Sequence, residues 1–303
     1  MISGMGVLVR DFEARRKSSF NGLKLNTISQ EEKKRRDQII NYARASVGLE
    51  GFVPSASAET DALRYVNGEM DMEEFVSLGL DGPDALTPKE CYQFESDRTF
   101  RRAAELRDSP VKDNFAAAHL KEINRRLFQD LTGAGFKDVT PGVYRPETDK
   151  WYKIRRLTSR SLQYFVAYST MDQSSRERLD KILEEAKPEK LKGLDPNEFK
   201  ARIGVLYADM DYIHPFLDGN SRTLREFTRQ LANDSGYKVD WERFVINPAG
   251  RDHLYLARDL SVFERSINEI KDDQLLHQVL ISQYRLKENR HFPDLVKDAI
   301  QPI

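Results

Sequence analysis

Thiols are almost missing from this chain: Cys91 is the one cysteine in 303 residues. That excludes a disulfide framework within one chain and any cysteine-cluster zinc site, and it fits a reducing, cytoplasmic setting. An excess of either charge is missing as well. Lys and Arg total 48 against 49 Asp and Glu, a formal charge of −1. The chain therefore lacks the basic surplus of a general nucleic-acid binder, although a local basic patch is compatible with it. Long apolar runs are absent too. The longest near the start, Met5 to Val9, is interrupted by Gly6 and closed by Arg10. It is too short for a signal-peptide core and far too short to span a bilayer. No unit of about 20 to 50 residues repeats. These absences predict a cytoplasmic protein with no direct nucleic-acid partner and no membrane contact, with export as an effector left open.

What is present is enough for a substantial core. Apolar residues make up 39% of the chain, with 16 Phe, 12 Tyr and 2 Trp, against 32% charged residues. The length allows one large domain or two smaller ones. The reading along the chain is all-α with very little strand. Residues 1–28 lack periodicity and read as a flexible N-terminal segment. Ser29 followed by Glu32 has the form of a capping box, in which hydroxyl and carboxylate satisfy the first free N–H groups of a helix. That helix runs to Gly48 or just beyond Glu50. Short helices follow at Ala58–Val66 and Met72–Leu78. The turn-rich Gly79–Pro83 marks a domain boundary. The resulting division is 1–28, a helical module at 29–83, a catalytic domain at 84–270 and a C-terminal helical extension at 271–303.

Beyond Pro83, Val111 to Leu131 reads as one long helix. Thr132 to Lys153, broken by glycines and prolines, reads as a β-hairpin turning near Pro146–Asp149. Leu157 to Ala186 reads as helix. The firmest pattern starts at Asp195, an N-cap with Pro196 at the first helical position. Phe199, Ile203, Leu206, Met210 and Ile213 follow at alternating spacings of four and three, one buried face of a helix that stops at Pro215. This stretch is core, not a ligand box. A second helix begins at Ser221 and closes at Gly236, and two or three more fill residues 251–300.

The loop between those two helices carries the chemistry. His214-Pro215-Phe216-Leu217-Asp218-Gly219-Asn220-Ser221-Arg222-Thr223-Leu224-Arg225 ends on a helix N-terminus, a natural anion site. Gly219 lets backbone approach an anion. Arg222 and Arg225, three apart, share one helical face and can both pair with phosphate oxygens. Asp218 is a hard oxygen ligand suited to Mg²⁺ brought in by a nucleotide. His214 can take a proton near neutral pH. Together these describe a phosphoryl- or nucleotidyl-transfer site.

The segment also resembles the signature of the Fic family, His-x-Phe-x-Asp/Glu-Gly-Asn-Gly-Arg-x-x-Arg, at every fixed position except Ser221, where the family usually has glycine. The likeness continues through Arg225–Trp241 and covers about residues 110–265. It implies a Fic-type helical bundle with a β-hairpin flap and an AMP transferase acting from ATP and Mg²⁺ on a Tyr, Ser or Thr hydroxyl of a target protein. In that resemblance His214 is the general base, Phe216 anchors the loop and Asp218 holds Mg²⁺. Gly219 and Asn220 cradle phosphates, Arg222 binds them, and Arg225 holds the γ-phosphate. Ser221 sits among these nucleotide-contacting positions, where its hydroxyl could cap the helix or touch a phosphate. The hairpin around Gly142–Ile154 corresponds to the flap that docks the target by strand pairing, with Gly142, Val143, Tyr144 and Arg145 as docking residues.

A second resemblance lies upstream. Ser46-Val47-Gly48-Leu49-Glu50-Gly51 is similar to the family's inhibitory motif, Ser/Thr-x-x-x-Glu-Gly/Asn. The runs Tyr42–Ser55 and Tyr65–Val76 resemble the small antitoxin partner of Fic toxins, here fused ahead of the catalytic domain. This implies an intramolecular brake in which Glu50 pairs with Arg225, supported by Ser46 and Gly51. Three functions stay open: an autoinhibited AMP transferase; a Fic protein that removes AMP or transfers another phosphate-bearing group; and a nucleotide-binding regulatory module with weak catalysis. Target and oligomeric state are not legible, with a homodimer open. His119, His253, His277 and His291 read as structural, Lys33–Arg36 as a solvated helix face, and Cys91 as inert. Trp151 and Tyr152 fit plain hairpin packing as well as a docking role.

Overall fold

The computed structural model describes residues 28–80, 87–131, 135–136, 139–157, 162–246 and 248–303. All of the segment read as 1–28 except its last residue, and most of the Gly79–Pro83 boundary, lie outside the described residues. Twelve α-helices are described: α1 Gln30–Gly48, α2 Ala56–Val66, α3 Met72–Ser77, α4 Pro88–Asp108, α5 Ala117–Phe128, α6 Gln173–Glu185, α7 Pro188–Leu191, α8 Pro196–Ile213, α9 Asn220–Asp234, α10 Pro248–Ser266, α11 Asp273–Leu286 and α12 Phe292–Val296. Two short 3₁₀ helices, Glu242–Phe244 and Lys297–Ala299, and two antiparallel pairs complete the described fold: β1 Trp151–Arg156 with β2 Gln163–Tyr168, and β3 Tyr237–Val239 with β4 Ile300–Pro302.

The central helix is α8. Asp195 caps it by accepting the N–H groups of Asn197 and Glu198, and Pro196 occupies its first turn. Its five expected core residues, Phe199 to Ile213, are all buried, each stabilising the fold by about 2 kcal/mol through removal of apolar surface from water. Helices α6, α9, α10 and α12 pack around it. Helix α12 sits so close that a Cβ at Gly204 would lie 2.6 Å from Pro293 Cα. The C-terminal residues are thus part of this core, and β4 pairs with β3 through Val239 and Ile300.

The N-terminal helices join the same core. Ile39, Ile40, Tyr42, Ala43 and Val47 of α1 are buried in one contiguous apolar cluster with Phe100 and Ala104 of α4. Ser29 caps α1 by accepting from Glu32 N–H at 3.0 Å. The Glu32 carboxylate instead pairs with Arg35 and Arg36, so only half of the expected capping box is seen.

Three expectations are corrected. The helix expected from Val111 begins at Ala117, because Phe115 has a positive φ of 59° that interrupts it. Leu157 to Ala186 is not helical throughout: Gln163–Tyr168 is a strand, and helix resumes only at Gln173. That stretch, QYFVAY, is rich in aromatic and β-branched side chains, which favour a half-buried pleated surface. The hairpin is accordingly displaced. It pairs Trp151 with Tyr168 and Arg156 with Gln163, while Gly142, Val143, Tyr144 and Arg145 precede it outside any strand.

Candidate active site

The loop after α8 is held in place by backbone capture. His214 ends the helix in a left-handed conformation, φ 51° and ψ 60°, with its N–H still bonded to Met210 O. Asn220 staples the turn: its Oδ1 accepts Phe216 N–H at 2.9 Å and its Nδ2 donates to Phe216 O at 2.7 Å. Gly219 has φ 75°, and a Cβ there would fall 2.1 Å from the Phe128 ring, so only glycine fits. The buried Arg145 guanidinium donates to the carbonyls of His214 at 2.8 Å, Ser169 at 2.5 Å and Ile213 at 3.3 Å. Its own N–H bonds Pro215 O at 2.8 Å.

Facing this loop is the end of α1. Glu50 Oε1 lies 2.8 Å from Arg225 Nη2, and the same nitrogen donates to Ser46 O at 2.9 Å. Tyr255 donates its hydroxyl to Glu50 Oε2 at 2.7 Å, and Arg251 ties the Leu49 carbonyl at 2.8 Å. Burial pushes the Glu50 carboxyl pKa up, but Arg225, Arg222 and the Tyr255 hydroxyl outweigh it and hold it at about 2, so Glu50 is ionised at neutral pH. Arg222 is engaged separately, with Nη2 2.6 Å from Glu95 Oε1, Nη1 3.2 Å from Thr99 Oγ1, and its plane over Phe128.

Residues 114–232 match the family model described as Fic/DOC family, and residues 36–78 match the one described as antitoxin VbhA. The chain carries a Fic/DOC domain. A VbhA-type antitoxin segment lies ahead of it, and the Glu50–Arg225 pair joins the two matched regions. Among known proteins the chain is similar to the protein adenylyltransferase VbhT of Bartonella schoenbuchensis, 32% identical over 151 residues, 49% of this chain and 27% of that protein. It is also similar to the probable protein adenylyltransferase Fic of Escherichia coli, 24% identical over 144 residues, 48% of this chain and 62% of that protein. The chain spans about a quarter of the length of the first of these. Among solved structures, the BepC protein of Bartonella tribocorum with bound AMPPNP is 20% identical, covering 72% of this chain and 89% of that one at a TM-score of 0.46.

Within the Fic domain the sequence-predicted residues divide by position. His214, Phe216, Asn220, Ser221, Arg222 and Arg225 are buried around one loop, and Asp218 is the exposed member. Ser46 contributes its carbonyl to Arg225, and Gly51 has φ 88°, with a Cβ there 3.3 Å from the Arg251 guanidinium. Ser221 does not cap α9; its hydroxyl accepts from Arg258 Nη1 at 2.8 Å. Of the four expected docking residues, Arg145 is a buried loop clamp. Gly142 N–H bonds Asn124, Tyr144 packs between Lys121 and Phe216, and Val143 is exposed.

Several contributors went unread in the sequence. His214 stacks on Tyr168 with ring centroids 3.9 Å apart. Asp211 Oδ1 lies 3.9 Å from His214 Nδ1 and is gripped by Arg258 through bonds of 2.8 and 3.0 Å. Burial, then Lys153, pushes the His214 pKa down; Asp211 opposes this and Arg155 adds to it, leaving it at about 3. His214 is therefore neutral at physiological pH, with an available lone pair. The i, i+3 spacing of Asp211 and His214 was a usable signal. Nothing in sequence marks Tyr255, Arg258 or Glu95, which lie in other helices outside the Fic match.

Proposed function

We propose that the chain is a protein adenylyltransferase that moves AMP from ATP to a Tyr, Ser or Thr hydroxyl of a target protein, and that Glu50 keeps the resting enzyme silent. The observation that carries this reading is the 2.8 Å pairing of Glu50 with Arg225. A planar, always-charged guanidinium in the second turn of α9, just beyond the loop, is suited to phosphate, and here a carboxylate occupies it. The adenylyltransferase names of the relatives support the same chemistry.

The reaction gives each side chain a part. Neutral His214 takes the proton of the target hydroxyl. The oxygen attacks the α-phosphorus, the bond to the bridging oxygen of the β-phosphate breaks, and pyrophosphate leaves. Phe216 anchors the loop in the core. Gly219, Asn220 and Arg222 line the phosphate path, the Ser221 hydroxyl is turned to Arg258, and Arg225 fixes the γ-phosphate once Glu50 has moved. The donors fit a triphosphate: Arg225 Nε and Nη1 and Arg222 Nε are buried and have no hydrogen-bond partner among the described residues. Asp218 is the candidate Mg²⁺ ligand. No cluster of three His, Cys, Asp or Glu is found among the described residues, which suits a cation that arrives on the nucleotide and needs one carboxylate. When bound, Mg²⁺ neutralises charge on the phosphates.

We assign target docking to β1, whose Tyr152 and Ile154 are about half exposed and whose outer edge pairs with no strand among the described residues. The inhibitory module is residues 29–83, the catalytic domain 84–270 and the extension 271–303. The fused arrangement reads as a toxin–antitoxin pair in one chain. Three proteins test the reading: wild type, Glu50→Gly, and Glu50→Gly with His214→Ala, each with Mg²⁺, α-phosphate-labelled ATP and bacterial lysate. Label on protein only in the single variant is expected, with a mass gain of AMP. Equal label in wild type removes the brake, label surviving His214→Ala removes the base, and no label in any protein overturns the transferase.

A further inference from the structure

The motif position where glycine is usual has a partner that explains the serine found there. Ser221 Oγ accepts from Arg258 Nη1 at 2.8 Å; Arg258 Nε and Nη2 grip Asp211 at 3.0 and 2.8 Å; and Asp211 Oδ1 faces His214 Nδ1 at 3.9 Å. All four side chains are buried: Ser221 is 8% exposed, and Arg258, Asp211 and His214 about 1% each. We infer that Ser221, Arg258 and Asp211 are positioning residues that hold His214 as its Nδ1–H tautomer, leaving the Nε2 lone pair for the target hydroxyl.

The physical argument starts from the imidazole. Being neutral, it carries one proton on either nitrogen, and its neighbours decide which. A fixed anion beside Nδ1 attracts the N–H dipole and repels a lone pair, and that preference is strong where water is excluded. The separation is longer than a hydrogen bond, so the effect is electrostatic orientation. The other charges around the ring are Lys153 and Arg155 from β1, which disfavour the imidazolium, and Tyr168 from β2 lies flat on its face. Asp211 is the anion facing the ring from its own helix, and it supports the imidazolium that forms when the hydroxyl proton arrives. Asp211 would not remain in place alone, because a buried carboxylate needs a cation and filled lone pairs. Arg258 supplies both from α10, and Ser221 takes one of the guanidinium N–H donors that Asp211 does not use. In this reading the serine is the outer support of a three-residue fixture, and the phosphate loop is left intact.

The inference rests on the proposed role of His214 only for what the lone pair does; the tautomer belongs to the resting protein. It is therefore tested first without turnover. Nitrogen-15 NMR of histidine-labelled wild type at neutral pH should show His214 as the Nδ1–H form, assigned by the loss of its signals in His214→Ala. Asp211→Asn should move His214 to a mixture of both forms. A wild-type ring protonated at Nε2 overturns the inference, whatever the activity.

Labelling then follows in the Glu50→Gly background. Asp211→Asn should lower the rate by roughly ten- to hundredfold and move the acid limb of the rate–pH profile to lower pH. Ser221→Gly should lower the rate by about fivefold, the worth of one hydrogen bond, without changing the KM for ATP. Ser221→Thr, which keeps the hydroxyl, should restore the rate lost in Ser221→Gly. If the variants lose rate only in proportion to folded protein, with tautomer and acid limb unmoved, Asp211 and Arg258 form a structural ion pair and the inference fails. If Glu50→Gly itself takes no label while the tautomer behaves as stated, the transferase reading fails and the positioning inference stands.

Discussion

His214 is an imidazole kept neutral by its surroundings. Its pKa falls from 6.5 in an unfolded chain to about 3 in the fold, chiefly through burial and then through Lys153. Between those values the unfolded chain binds a proton that the folded protein refuses, so acid favours unfolding through this residue. Its contribution is present in full above pH 6.5 and fades as pH falls toward 3. Denaturant melts of wild type and His214→Ala between pH 7 and pH 4.5 should show the variant losing less stability on acidification. Parallel losses in the two proteins would contradict the burial argument. At this scale the sequence was informative wherever a side chain acts through its own motif. His214, Asn220, Arg222, Arg225 and Glu50 could be named because their spacing is local. Asp211 was missed although it lies on the same helix, because a buried aspartate on an apolar face looks like an ordinary helix residue until its arginine arrives from elsewhere. Arg258 and Tyr255 had no local signal at all.

At the scale of elements, helices with caps and periodic apolar faces were legible and strands were not. Helix α8 was read nearly to the residue because Asp195 and Pro196 start it and five core residues mark its face. The β1–β2 hairpin was placed too early. Its turn was expected near Pro146–Asp149, whereas the strands that pair are Trp151–Arg156 and Gln163–Tyr168. The misplaced segment instead braces the loop after α8. Arg145 sits fully buried beneath that loop, donating to three carbonyls. Burial pushes its pKa down to about 10, so it stays charged at neutral pH. Arg145→Ala strands those carbonyls and opens a void. The expected result is a loss of about 3 kcal/mol in denaturant melts, together with reduced labelling in the Glu50→Gly background. A variant as stable as its parent would show that the loop needs no clamp.

On the scale of the whole molecule, the antitoxin-like helices are not an appendage. Helix α1 shares an apolar cluster with α4 and the rest of the core, and the Tyr42 hydroxyl donates to Glu226 of α9, one residue from Arg225. Lifting the module away would expose that core, so in the proposed function release of the brake is a local movement of the turn at 49–51. Chemical unfolding followed at tryptophan, which reports Trp151 and Trp241 in the Fic domain and the segment beside it, and by far-ultraviolet dichroism, which reports every helix, should give one coincident transition. Glu50→Gly should keep that coincidence. A separate early transition in dichroism alone would mean that α1 to α3 melt independently. The composition foretold a large core and the pattern along the chain a mostly helical plan, but not that both modules would share one core, because shared burial depends on contacts between segments far apart in the chain.

In the proposed function, because Glu50 and Arg225 belong to one polypeptide, the blocking group is present at a local concentration set by the fold, not by the cell. Dilution cannot separate them, and a burst of synthesis cannot produce catalytic heads in surplus over their inhibitors. A two-gene pair must keep its ratio through every fluctuation in expression and every round of degradation. In this chain the ratio is one by covalent necessity, so copy number changes how much enzyme is held in reserve and leaves the fraction that is active unchanged.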